Sequence, residues 1–317
     1  MRRFRRLVDQ SVAFVTLATV LMGSAAGQAD GQQGDTSVVI LTTGDAAPHL
    51  EVAEGFQTYV ETHHPNASVD TYILSDQRRA QVLDTLRRTS ASVLLTIGSP
   101  ATKLALTEFP NVPIVASLVS DMAPIREAPN ATGVSLEFPL KTSLTWLRRI
   151  LPDRNAVGVI YDPVNNERTV ETADAIASEM NLQLVSAPVD TPRDLRAALD
   201  QVGRRSEVIW GIPDTTVLSP QTAQQMLLFS FRQQIPFVGL STEWVKAGAL
   251  YALDRDYRDV GAQCGGLAVK ILNGMSPQAL PPQTPRMVLY DINLKTAQQL
   301  NLRLAADVID GAREVIR

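Results

Sequence analysis

The chain of 317 residues sets 29 lysines and arginines against 33 aspartates and glutamates, a formal charge of −4, with 45% hydrophobic residues. That mildly acidic balance gives no electrostatic footprint for nucleic acid, and the single cysteine, Cys264, excludes an internal disulfide. The length suits two domains of ordinary size.

In chain order, Arg2, Arg3, Arg5 and Arg6 form a basic start, Val12 to Met22 an apolar stretch, and Ser24 to Ala29 a small-residue exit. This pattern predicts a cleaved secretory signal peptide over residues 1–29, cut after Ala26 or Ala29. The apolar stretch is about half of the roughly 20 residues that a spanning helix needs. Removing the leader, with four arginines and Asp9, takes the formal charge from −4 to −7. No cysteine follows to carry a lipid, and no later apolar run approaches spanning length, so a free, soluble, exported protein is expected. Asp30 to Asp35 reads as a disordered leader.

From there the same pattern is written twice. Val38 to Leu41 predicts a strand, followed by a loop from Thr43 to Pro48 and an amphipathic helix. Val69 to Leu74 predicts a second strand, then Asp76 and a helix to Arg88. A buried third strand, Val93 to Ile97, runs into Gly98, Ser99 and Pro100, and Val112-Pro113-Ile114-Val115 leads to Ser120 and Asp121. The second pass has Val157 to Ile160, a loop from Asp162 to Asn166 and a helix, then Leu182 to Val185, Asp190 and a helix to Val202. Val208 to Ile212 runs into Pro213, Asp214 and Thr215, Ser219-Pro220 opens a helix, and Ile235 to Val238 leads to Ser241, Thr242 and Glu243. Asp76 precedes Gly98 by 22 residues, and Asp190 precedes Ile212 by 22. Each half is therefore a doubly wound α/β unit. Polar turns after apolar parallel strands hold ligands at the carboxyl ends of the sheet, so two such edges predict two lobes facing one cleft.

Catalytic signatures are missing from these turns. The glycines from Gly261 to Gly266 sit within a predicted helix rather than after a strand, which suits close helix packing better than phosphate binding. Cys264 lies among them at helical spacing and reads as a small buried residue. Gly239-Leu240-Ser241 begins like a nucleophile elbow but continues Thr242-Glu243, without the second glycine. His49, His63 and His64 all fall early, and none has metal-ligand spacing. No cofactor and no metal is expected.

What remains is a set of hydroxyls, acids and aromatics at strand ends. Ser99 reads as an N-cap with Pro100 at the first helical position, leaving backbone N–H groups for an anion. Asp121, Asp214 and Asp256 are placed to accept from an ammonium or hydroxyl at the cleft mouth; a turn or cap role suits Asp121 and Asp256 better, and Asp214 suits either. Tyr161 and Trp244 stand at strand-to-loop transitions as candidates for a stacking wall, whereas Trp210 reads as core.

From Val93 to Leu302 the chain resembles the periplasmic substrate-binding proteins of ABC importers, in the group whose better-known members bind aromatic amino acids. The matching stretches run in order from Gly98-Ser99-Pro100-Ala101 through Ala131-Thr132-Gly133-Val134, Pro213-Asp214-Thr215 and Lys246-Ala247-Gly248-Ala249-Leu250 to Asp259-Val260-Gly261 and Leu272-Asn273-Gly274. The resemblance implies two Rossmann-like doubly wound lobes joined by a three-stranded hinge, with lobe 1 holding about 36–133 and 255–284 and lobe 2 about 134–254 and 285–317. It implies ligand contacts at Ser99, Pro100, Asp121, Tyr161 with Asn165, Asp214 with Thr215, Thr242 and Asp256. It further implies a monomer in the periplasm that takes a small polar solute such as an amino acid and docks on a membrane permease of an ABC transporter. The chain departs from the family pattern at Ser120-Asp121-Met122 and at Asp254-Arg255, which replaces an apolar or glycine pair. Arg255 has two partners open to it, an acidic ligand or Asp254. A ligand-sensing module of a signalling complex would use the same fold, and an exported α/β enzyme would need a nucleophile and activating base that these turns do not offer.

Overall fold

The computed structural model describes residues 36–75 and 77–317. The leader read over residues 1–29 and Asp76, the counterpart of Asp190, lie outside the described residues.

The first half runs β1 (Thr36–Thr42), α1 (Ala47–His63), β2 (Ala67–Ile73), α2 (Arg79–Thr89), β3 (Val93–Ile97), α3 (Ser99–Glu108), β4 (Ile114–Val119), α4 (Ala123–Glu127) and β5 (Ala131–Ser135). Its strands are parallel and ordered β2-β1-β3-β4-β5. The central strands are mostly apolar and buried because both of their faces are covered. Side chains alternate across a strand, so Val38, Ile40, Val93 and Leu95 enter one cluster while Val39, Leu41 and Leu94 enter the cluster on the opposite face.

The second half contains α5 (Leu140–Ile150), β6 (Ala156–Tyr161), α6 (Pro163–Glu179), β7 (Gln183–Pro188), α7 (Leu195–Gly203), β8 (Val208–Trp210), α8 (Pro220–Gln233), β9 (Phe237–Gly239), α9 (Thr242–Ala247) and β10 (Tyr251–Arg255). After these come α10 (Tyr257–Leu272), a 3-10 turn at Pro277–Ala279, β11 (Val288–Asn293), α11 (Leu294–Gln299), α12 (Ala306–Asp310) and β12 (Glu314–Ile316). The second sheet is ordered β12-β11-β10-β9-β8-β6-β7. Its core, β7-β6-β8-β9-β10, repeats the strand order of the first sheet, and β11 adds antiparallel to β10. The doubled pattern of the sequence is thus a doubled topology. Ser219 caps α8 as expected, in a capping box with Thr222. β8 stops at Trp210 rather than Ile212: Gly211 still donates to the Val238 carbonyl at 3.0 Å, and Pro213 has no N–H to extend the pairing.

The chain crosses between the sheets three times. It leaves the first sheet after Ser135, returns at Asp256 between β10 and α10, and leaves again beside β5, where Gln283 donates to the Gly133 carbonyl at 2.8 Å and accepts from Ser135 N at 2.9 Å. The second crossing sends α10 back to the first lobe, where Val260, Cys264, Leu267 and Ala268 pack with Val52, Phe56 and Val60 of α1. A Cβ on Gly261 would lie 2.2 Å from the Val52 carbonyl oxygen, so glycine is what lets the two helices touch. Cys264 in the same contact is fully buried, and burial pushes its thiol pKa up to about 12, far from a reactive thiolate. Among the described residues no helix is long and apolar enough to cross a membrane. Gly261→Ala should overpack the α1–α10 contact and cost about 1–3 kcal/mol, read as a lower urea midpoint; an unchanged midpoint would mean that the helices are free to separate.

Candidate functional site

The β-to-α turns of both sheets lie at the carboxyl edges of their strands, and their acids serve mainly to brace those turns. Asp214 is buried after β8. Its Oδ2 accepts from Asp162 N at 2.7 Å and Asn166 Nδ2 at 2.9 Å, and its Oδ1 accepts from Thr216 N at 2.9 Å and Val217 N at 2.8 Å. With both oxygens doubly satisfied, Asp214 is a loop brace rather than an open acceptor for a ligand ammonium, which corrects the sequence expectation. Asp162 answers it from the turn after β6, accepting from Thr216 Oγ1 at 2.9 Å, Val164 N at 2.9 Å and Asn165 Nδ2 at 3.0 Å. The Thr216 hydroxyl does most to hold the Asp162 carboxyl below the usual carboxylate range.

The other expected contacts are placed as follows. The N-cap of α3 is Gly98, at φ 97°, rather than Ser99, whose side chain makes no capping bond; a Cβ at 98 would meet Thr43 Oγ1 at 2.4 Å. Ser99 and Pro100 are exposed on the first turn of that helix. Asp121 accepts from Ala123 N at 2.9 Å, as a turn residue does, and is exposed. Thr215 is exposed within its turn, and Asn165 is engaged by Asp162. Asp256 caps α10, accepting from Asp259 N at 3.0 Å. Thr242 donates to Asp291 at 2.6 Å and accepts from Arg313 at 3.0 Å. Tyr161 lies in the core of the second lobe with its hydroxyl donating to Glu167 at 3.1 Å, and Trp244 packs on Phe237, so neither forms a stacking wall.

A cavity of about 340 Å³ opens between Ser120 at the edge of the first sheet, the first crossing segment and the carboxyl edge of the second sheet. This size suits a small molecule. Trp210, Tyr251 and Phe138 supply aromatic surface, Leu140 and Leu253 aliphatic surface, and Asn166, Glu137 and Arg255 the polar points. None of the nine residues expected from the sequence lines it, but Ser120, Asn166, Pro213 and Arg255 do, each one residue from an expected contact. Trp210 is at once buried in the core cluster and part of the cavity wall. Glu137 and Phe138 carried no signal in the sequence beyond their position just after a crossing strand.

Charge in the cavity is unevenly matched. The Arg255 guanidinium stands 5.3 Å from the Phe138 ring centre and 5.9 Å from that of Tyr257. Its Nε is buried without a hydrogen bond, and the only carboxylate in salt-bridge reach among the described residues, Asp254, is 3.9 Å away. Asp254 is instead held by Arg313 at 2.8 Å. Arg313 also donates from Nε at 3.0 Å to the fully buried Asp291, which is the main reason its guanidinium is held above the usual arginine range. Loss of solvent around the Glu137 carboxyl raises its pKa, Arg255 opposes that rise, and Asp121 adds to it. Among the described residues no cluster of His, Cys, Asp and Glu is arranged to hold a metal ion. Asp214→Ala would leave several turn donors without acceptors, so it should lower the stability of the protein by about 1–3 kcal/mol with no solute present. A thermal melt that shifts only when a solute is bound would instead make Asp214 a ligand contact.

Comparison with known proteins places this geometry. The chain is 24% identical over 227 residues to a tyrosine-binding protein of Clostridioides difficile (strain R20291), a match that covers 68% of this chain and 65% of that relative's length. A ligand-free, open substrate-binding protein with adhesive properties from Clostridium difficile superposes with a TM-score of 0.72 at 19% identity, covering 89% of this chain and 99% of its own. An ABC domain in complex with L-Trp from Streptococcus pneumonia gives a TM-score of 0.60 at 18% identity, covering 89% of this chain and 100% of its own. These structures share the two-lobe architecture, the type I periplasmic binding protein fold. Residues 58–316 match the model of the ABC transporter substrate binding protein family, and the chain belongs to that family.

Proposed function

We propose that the protein is the extracytoplasmic solute-binding component of an ABC importer, resident in the periplasm as a monomer, which captures an amino acid in the interlobe cleft and delivers it to a membrane permease. The observation that carries this reading is the cavity itself: two sheets of the same strand order meet at one small-molecule-sized hollow with an aromatic wall and a few polar points. Similarity to a tyrosine-binding protein and to a structure holding L-Trp supports an amino acid as the solute.

In this reading lobe 1 comprises about 36–133 and 255–284 and lobe 2 about 134–254 and 285–317, turning about the three crossings. The exposed residues Ser99, Pro100, Asp121 and Thr215 are the ones left to close over the solute, whereas Asp214, Thr242 and Asp256 are less exposed and, like Asn165, engaged within the chain. In this reading the role is binding without turnover: among the described residues the acids at the strand ends brace loops, and the threonine hydroxyls beside Asp162 and Asp291 belong to that bracing.

A thermal-shift panel of amino acids, short peptides, nucleosides and sugars tests this. One class should raise the melting temperature, and a solute at 100 times its Kd adds about 2.7 kcal/mol. The solute should also be recovered chemically unchanged. A flat panel would overturn the solute-binding reading, and conversion of a solute to product would replace it with an enzyme.

A further inference from the structure

We propose that Arg255, which with Asp254 stands where the family pattern has an apolar or glycine pair, is the anion anchor of the cleft and recognises the carboxylate of the solute. This rests on the solute-binding reading and adds to it the group that is recognised and the residue that recognises it.

Among the described residues the Arg255 side chain has no hydrogen-bonded partner: Asp254 stands at salt-bridge distance only, and the Glu137 carboxyl feels its charge across the cavity. Its side chain is 14% exposed, and its Nε is buried with no acceptor. At 3.9 Å Asp254 is too far for a hydrogen bond, and its oxygens are engaged elsewhere: Oδ1 accepts from the backbone N of Arg255 at 2.9 Å, and Oδ2 from Arg313 at 2.8 Å. A guanidinium largely removed from water costs stability unless it is paired. Proteins that keep such a group at a cavity wall commonly use it for recognition.

The shape of the site narrows the partner. The rings of Phe138 and Tyr257 flank the guanidinium at 5.3 and 5.9 Å, which restricts how it can turn. The planar fork of an arginine matches a carboxylate with two parallel hydrogen bonds. Beyond the guanidinium the wall is Trp210, Tyr251, Leu140 and Leu253, surface that favours an aromatic or similarly flat apolar group over a heavily hydrated phosphate or sugar. Glu137 stands at the same cavity. It is a second charged point, suited to a positive group on the solute, while Arg255 takes the negative one.

The test measures binding of L-phenylalanine, 3-phenylpropanoate and 3-phenylpropanamide by calorimetry to the wild type, Arg255→Met and Arg255→Lys. The wild type should bind at least one of the two carboxylates and discriminate against the carboxamide. Arg255→Met should weaken the carboxylate roughly 10- to 100-fold, while Arg255→Lys, which keeps the charge but loses the fork, should fall between. Without solute, Arg255→Met should melt at the same temperature as the wild type or higher, an outcome that a purely structural arginine would not give. Unchanged carboxylate affinity in Arg255→Met, equal binding of acid and carboxamide, or a wild type that binds uncharged solutes but neither acid would overturn the anchor and leave the solute-binding reading standing. A wild type that binds no solute of any class would overturn both.

Discussion

A parallel strand buried on both faces can place polar chemistry only at its ends. β3 is the clearest case: every side chain from Val93 to Ile97 is buried, its one hydroxyl, Thr96, is satisfied by Thr102, and the first polar side chain open to a solute comes in the turn beyond Gly98. Helices must cover both faces of such a sheet, and parallel strands joined through those helices gather the β-to-α turns along one edge. Two sheets built under this constraint, in the same strand order, give two polar edges. The three crossings then keep those edges facing a common cavity.

Among the described residues, the charged groups along the edges that hold the turns contrast with Arg255, whose buried Nε has no hydrogen bond. Asp162 and Asp214 tie the turn after β6 to the turn after β8, and Asp256 ties the second crossing to α10. Asp291, fully buried, is paired with Arg313, which reaches back from just before β12 to Asp254 as well. A buried carboxylate without such a partner would be costly, so these acids are occupied before any solute arrives. The contrast between two arginines follows: Arg313 is hydrogen-bonded to its carboxylates and is part of the frame, while Arg255 has aromatic rings beside it and no carboxylate closer than Asp254 at 3.9 Å among the described residues.

The fold was legible in the sequence because its signals are local and repeated. Apolar runs such as Val38 to Leu41 and Val157 to Ile160, Pro-led helix starts and the doubled spacing each report one element, and together they report the doubly wound order. The glycines of α10 were legible for the same reason, as an apolar helix with no room for side chains against α1. The expected contacts stand one residue from the lining of the candidate cavity: an aspartate in a tight turn satisfies backbone N–H groups first, and its neighbour faces the cavity. Asp214 against Pro213 and Asp256 against Arg255 show the offset. Trp210 was legible only as core, because a strand-end ring can fill the interior with one face and line a cavity with another. Glu137 and Phe138 belong to a crossing segment whose direction is set by the second lobe, which no local pattern encodes.

The central claim is that the cavity holds one small solute and leaves it unaltered. Native mass spectrometry of the gently purified protein, before and after a second exposure to the released compound, measures this directly. One small acid bound per chain, released and rebound at unchanged mass, is the predicted result; a chain that carries no solute after exposure to the full metabolite pool, or that releases a compound of altered mass, would contradict it.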